Sequence, residues 1–283
     1  MLSFINHPLA GTPYGAALDL CVVLAVLVWL TSVVTREYSW VDRLWSVCPP
    51  IYCLMGAAGA DFASPRLNLM ALLVTMWGAR LTFNYARRGG FSRGGEDYRW
   101  AAIRAKLGPV GFQALNLVFI APGQMLLVWL FASPAHQAWL WRDTPLTFAD
   151  GVAATIFLVL FIGEWIADEQ MWAFQQEKKR QIAAGEEVAE PFITTGLFAY
   201  CRHPNYFCEL GMWWVFYLFA VGASGVWLNW TGLGFVALTL LFQGSTQLTE
   251  SLSLSRYPAY SDYQARTPRI IPLPLRRCAR RSV

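Results

Sequence analysis

The sequence predicts an all-α, polytopic membrane protein of seven transmembrane helices, with the N-terminus outside and the C-terminus cytoplasmic. Three observations predict it. The 283 residues are 56% hydrophobic and only 14% charged, with a mean hydropathy of +0.38, whereas a soluble domain carries roughly 25% charged residues. Seven apolar runs of about bilayer length recur along the chain. The Lys and Arg residues between those runs divide nineteen to two, and the basic side of such a protein faces the cytoplasm.

The first run is Ala16 to Val34, and Arg36, Glu37, Asp42 and Arg43 interrupt it. The second goes from Leu44 to about Ala60, and Pro49-Pro50 predicts an irregular start and a kink. Asp61 to Pro65 reads as a turn. The third run is Leu67 to Tyr85, with Arg80 inside it. Arg87 to Gly108 reads as a basic, Gly-rich loop. The fourth run is Val110 to Ala132, and Ser133 to Phe148 is a polar, Trp-bearing turn. The fifth begins near Ala149 and stays apolar to Ile166, with a helical pattern continuing to about Arg180. The sixth is Tyr206 to Val221 and the seventh Leu228 to Leu248, ahead of an Arg-rich tail over 273–283. No soluble domain interrupts the series, so a single domain over 1–283 is expected. No cleavable leader is expected either, because no basic region precedes the first run.

The six Cys form no C-x-x-C pair and are expected to be free thiols packed as small apolar groups. Three unpaired His argue against a zinc or di-iron site. The net charge of +4 is modest and gives no reason to expect a nucleic-acid partner.

Charged groups inside spans cost roughly 2.5–3.5 kcal/mol each at the helix centre, yet several recur here on the cytoplasmic half. Glu164, Asp168 and Gln175 share a helical spacing on the fifth span, Arg80 sits on the third, Glu209 starts the sixth and Glu250 follows the seventh. Singly each reads as an interfacial residue or half of an ion pair; together they predict a polar cavity open to the cytoplasm. Most telling is Arg202-His203-Pro204-Asn205-Tyr206-Phe207-Cys208-Glu209, directly before an aromatic apolar run. Pro204 disfavours a helix at His203 but suits a first helical turn, so a helix entering the membrane at Pro204 is expected. Asn205 and Glu209 would then share one face of it. The paired glycines of the loop, Gly89-Gly90 and Gly94-Gly95, do not make a dinucleotide fingerprint, since no strand precedes them and the spacing differs.

These residues, with Glu250, Tyr257-Pro258-Ala259-Tyr260-Ser261-Asp262-Tyr263 and Arg269-Ile270-Ile271-Pro272, resemble the C-terminal half of the steroid 5α-reductase-like membrane family. Trp77-Gly78-Ala79-Arg80-Leu81-Thr82, Arg87-Arg88-Gly89-Gly90, Glu96-Asp97-Tyr98-Arg99-Trp100 and Ala167-Asp168-Glu169-Gln170 look typical of its bacterial branch, DUF1295. The resemblance covers roughly residues 36 to 272, with the motif-bearing half at about 149–275. It implies a seven-helix reductase in a bacterial inner membrane that takes NADPH from the cytoplasm and reduces an enone in a lipid-like substrate. It implies cofactor contacts from Asn205, Glu209, Asp168, Arg80, His203, Glu250, Tyr260 and Tyr263, with Arg202 and one of Arg87, Arg88 or Arg99 on the phosphates. Eukaryotic members hold the ketone with a Gln-Glu pair and a Tyr. No Gln-Glu occurs in the first three spans here, and Asp42 stands in, with Tyr206 as the second catalytic candidate. The implied partners are a lipid-like small molecule and the bilayer, and a monomer meets those needs. The same motif is similar to S-adenosylmethionine-dependent lipid and prenyl-thiol methyltransferases, and a non-catalytic lipid binder of the same fold is a third reading.

Overall fold

The computed structural model describes residues 7–188 and 190–273. Cys278 and the four arginines of the tail, Arg276, Arg277, Arg280 and Arg281, lie outside the described residues. The described chain is all helical, with no strand among the described residues. In order it forms α1 (Pro13–Thr35), α2 (Trp40–Trp45), α3 (Cys48–Ala58), α4 (Pro65–Arg87), α5 (Tyr98–Leu115), a π turn (Asn116–Ile120), α6 (Pro122–Phe131), α7 (Pro134–Leu140), α8 (Phe148–Ala183), a 3-10 turn (Gly196–Ala199), α9 (Pro204–Ser224), a second 3-10 turn (Trp230–Gly232), α10 (Leu233–Arg256) and α11 (Tyr260–Arg266).

Four stretches are long and apolar enough to cross a membrane: α1, the continuous stretch Tyr98–Phe131, α8 and α9. The protein is therefore of the integral membrane type. Proline opens α1, α4 and α9, where its missing N–H costs nothing and its fixed φ suits the first turn. The Thr12 hydroxyl caps α1 by accepting from Gly15 N at 3.0 Å.

Several expected elements differ. The second run is two short helices; the 11 residues of α3 rise only about 16 Å, against a hydrocarbon core of about 30 Å. The segment expected as a loop up to Gly108 is helical from Tyr98, capped by the Asp97 carboxylate accepting from Arg99 N at 2.9 Å. The turn after the fourth run contains α7, and the last long helix starts at Leu233 and reaches Arg256. By contrast α8 runs past its apolar part to Ala183, and α9 starts at Pro204, as the pattern predicts.

The chain divides into two compact units, Met1–Leu158 with Trp213–Thr239, and Val159–Met212 with Leu240–Val283. In the first, α3 packs on α4 and α1 on α6. Its centre is an aromatic group in which Trp213 meets Trp77 edge-on at 4.9 Å and Phe131 at 4.3 Å. Gly78 lets α4 approach α3 closely, since a Cβ there would strike the Ser46 carbonyl and the Pro50 ring. In the second unit Ala167, Ile193 and Phe198 form a small core. Gly196 turns beside it at φ +62°, a conformation glycine adopts without strain. The five described cysteines are buried thiols that form no disulfide.

Candidate functional site

The second unit carries most of the site read from the sequence. Because Pro204 keeps His203 out of the helix, the amides before α9 need partners elsewhere. Arg202 N donates to the Pro268 carbonyl at 2.9 Å and His203 N to the Arg269 carbonyl at 3.0 Å. The C-terminal segment is thereby fixed beside the start of α9. The Arg202 side chain reinforces this. Its Nε and Nη2 donate to the two oxygens of Glu250 at 2.7 and 2.9 Å, and its Nη1 donates to the carbonyls of Gln264 and Thr267. Gln264 Nε2 donates to Glu250 at 2.9 Å, and His203 Nε2 lies 3.0 Å from the same carboxylate.

Glu250 is buried. Burial by itself would raise its pKa, but the hydrogen bonds from His203, Arg202 and Gln264 and the Arg202 charge outweigh that and bring it down to about 2. An ionised carboxylate only accepts, so His203 must carry a proton on Nε2. The imidazole stacks on Tyr206, with ring centres 5.5 Å apart, and Tyr206 leans on Phe242 at 4.6 Å.

Asn205 is the second residue of α9, half-buried, and makes no side-chain hydrogen bond among the described residues. Lying inside the helix, it is not the residue that caps it. Glu209 follows one turn later and is buried, as are Glu164 and Asp168 on α8 in the same unit. Tyr260 and Tyr263 are buried on α11; the Tyr263 hydroxyl donates to the Phe198 carbonyl, and both rings pack on Phe192.

The first unit holds the remaining candidates. Asp42, on α2, is half-buried and faces Trp100, whose Nε1 is 3.5 Å from Oδ2. Burial and the nearby Asp97 charge raise its pKa, against the opposing effects of Ser39, Arg99 and Trp100. Arg99 pairs with Asp97 at 2.6 Å. Arg87 donates to Asn84 at 3.0 Å and lies over the Phe83 ring, both on its own helix. Arg80 is buried on α4.

The sequence reading missed Tyr85, whose hydroxyl is buried beside Asp42 and Arg43. The available signal was Gly90: a side chain there would collide with the Tyr85 ring, so the glycine marks where that ring lies. It also missed Gln264, whose α11 was not foreseen. Among the described residues no group of three or more His, Cys, Asp or Glu is placed to hold a metal ion.

The donors and acceptors at the start of α9 suit a ligand that presents both kinds of group. Asn205 both donates and accepts, and Glu209, when ionised, accepts. No solved structure matches the chain. An uncharacterized protein of Schizosaccharomyces pombe, C594.04c, is 36% identical over 287 residues, covering 96% of this chain and 83% of the yeast protein. The model of a family described as a protein of unknown function, DUF1295, matches residues 28–267. Taking in α9 with its polar start, α10 with Glu250 and all of α11, that match shows that the chain belongs to the DUF1295 family.

Proposed function

We propose that the protein is a membrane-embedded reductase that uses NADPH to reduce a carbon–carbon double bond conjugated to a ketone in a lipid-like substrate. The observation that carries this reading is the start of α9. Glu250 holds Arg202 and His203 in place, while Asn205 is left without a hydrogen bond among the described residues, one turn before the buried Glu209. Polar groups at the mouth of a membrane-crossing helix serve a ligand by default.

In this reading Asn205, Glu209 and Asp168 hold the nicotinamide and ribose end, with Tyr260 beside them. Arg202 has four N–H contacts already made, so it acts as a positioning residue together with Glu250, His203 and Tyr263. The bound cofactor supplies the hydride. Asp42, whose pKa burial raises, is assigned as the group that meets the ketone oxygen, with Tyr85 as its neighbour. A donor aimed where negative charge develops is the kind of contribution that lowers such barriers most. Four helices cross the membrane by length and composition. We assign the runs Leu44 to Ala60, Leu67 to Tyr85 and Leu228 to Leu248 as the remaining crossings of seven, which leaves Asp42 and Glu250 outside them, with the C-terminus and the cofactor site on the cytoplasmic side, from the nineteen-to-two distribution of Lys and Arg.

The test is equilibrium binding of NADPH and of S-adenosylmethionine to the purified protein in detergent. Saturable NADPH binding, weakened in Asn205→Ala and Glu209→Gln variants that melt like the parent, is the expected result. Binding of S-adenosylmethionine instead would make the protein a methyltransferase. Binding of neither would leave a lipid-binding protein and overturn the reading.

A further inference from the structure

The continuous stretch Tyr98–Phe131 is 34 residues long, which at 1.5 Å per residue is about 51 Å, well beyond a hydrocarbon core of about 30 Å. Gly108 stands at φ 67° and ψ 175°, outside the helical region, and Pro109 follows it. The stretch from Pro109 onward rises about 34 Å and suffices to cross. Residues 98–107 therefore form a separate helical segment at the membrane boundary.

The two faces of that segment differ. Inward, Trp100 faces Asp42, and Arg104 lies over the rings of Tyr38 and Phe112 at 4.8 and 4.9 Å. Outward, Tyr98, Ala101 and Ala105 recur at helical spacing, followed by Lys106 and Leu107, all exposed. Tyr98 is 60% exposed, and Phe91 and Leu107 are each 46% exposed. The acids around the segment are turned away from that face. Glu96 accepts from Arg104 and from Tyr38 N, Asp97 pairs with Arg99, and Glu37 pairs with Arg43 and accepts from Gly94 N. The exposed charges left on this end of the unit include Arg36, Arg93 and Lys106, all cations. Arg36 directly follows α1, so it sits at the end of one membrane-crossing helix as Lys106 sits at the start of another.

We propose that residues 91–107, with Arg36, form a platform that lies in the headgroup layer and binds anionic phospholipid. Tyr98, Phe91 and Leu107 enter the interface, and Arg36, Arg93 and Lys106 meet the lipid phosphates. Exposed aromatic and apolar groups alone would fit any bilayer; a set of outward cations whose neighbouring acids are already paired selects an anionic one. The face is continuous with the span that begins at Pro109, which argues for lipid as the occupant over a protein partner.

The test uses the full-length protein in nanodiscs of phosphatidylcholine, with or without phosphatidylglycerol, and in detergent. Hydrogen exchange over 91–107 should slow several-fold when phosphatidylglycerol is present. Retention of phosphatidylglycerol by the purified protein, read by native mass spectrometry, should fall about fivefold per cation removed in Arg93→Gln and Lys106→Gln, with melting unchanged because both side chains are exposed. Tyr98→Ser should raise exchange in both bilayers. Equal exchange in the two lipid compositions, or retention that survives the double substitution, overturns the proposal. So does protection in detergent that grows with protein concentration, which would identify a second copy as the occupant.

Discussion

Two Arg–carboxylate pairs of nearly the same geometry stand in the two units, and they do different things. In the first unit Arg66 donates to both oxygens of Asp150, at 2.9 and 2.8 Å, and each side chain is 1% exposed. Its other partners are Thr144 and the Pro145 carbonyl, while Asp150 also accepts from Thr147 N and its hydroxyl. All of these belong to one loop and to the starts of α4 and α8. In the second unit Arg202 clasps Glu250 in the same bidentate way, but the carboxylate also takes an imidazole and a carboxamide. The residues after Arg202 go on to present Asn205 and Glu209. A closed pair, with every group answered by its own loop, fastens helix ends. An open pair that orients a titratable ring beside a polar helix start is built to present something.

The largest effect that sharpens this contrast is expected at the closed pair. Arg66→Ala leaves Asp150 buried without its cation and should cost about 3–5 kcal/mol of stability, measured by unfolding in detergent. Whatever protein folds should bind NADPH like the parent; a selective loss of binding would break the distinction between the two pairs.

The next effect is a pH dependence at the open pair. Glu250 is lowered from the ordinary 4.5 to about 2 by its partners, so between those values the unfolded chain holds the proton and the folded one does not. The stabilisation is fully present above the unfolded value and is lost as pH falls through that window, a total of about 3 kcal/mol. Stability should therefore decline from about pH 5 downward, and Glu250→Gln should flatten that decline. A parent and a variant with parallel acid profiles would show that the pair contributes no such coupling.

The smallest effect is expected at Asn205. Asn205→Ala removes no hydrogen bond of the fold, so stability should stay within about 0.5 kcal/mol, while NADPH affinity weakens by about 1–3 kcal/mol where a buried partner loses its contact. A lowered melting temperature at unchanged affinity would make the residue structural.

How far each region was legible follows from how local its cause is. The start of α9 could be read because Pro204 acts on its own neighbours, and the length of α8 because its pattern persists to Arg180. The segment 98–107 was misread because arginines and glycines dominate the composition of 87–108, although Asp97 is a capping residue ahead of Trp100 and Ile103 at helical spacing. The second run was misread because its length was judged from apolar composition, whereas the chain breaks between Trp45 and Cys48.

By itself the sequence determined the helical class, the membrane setting and the polar cluster at the start of α9. These depend on composition, period and the covalent stiffness of proline, all carried by residues close in the chain. Only the tertiary structure decided which charges meet. Arg202 finds Glu250 across 48 residues and Arg66 finds Asp150 across 84, and Tyr85 comes to lie beside Asp42. A buried ion needs a counter-charge wherever the fold supplies one, and no local pattern along the chain encodes which of several carboxylates that is.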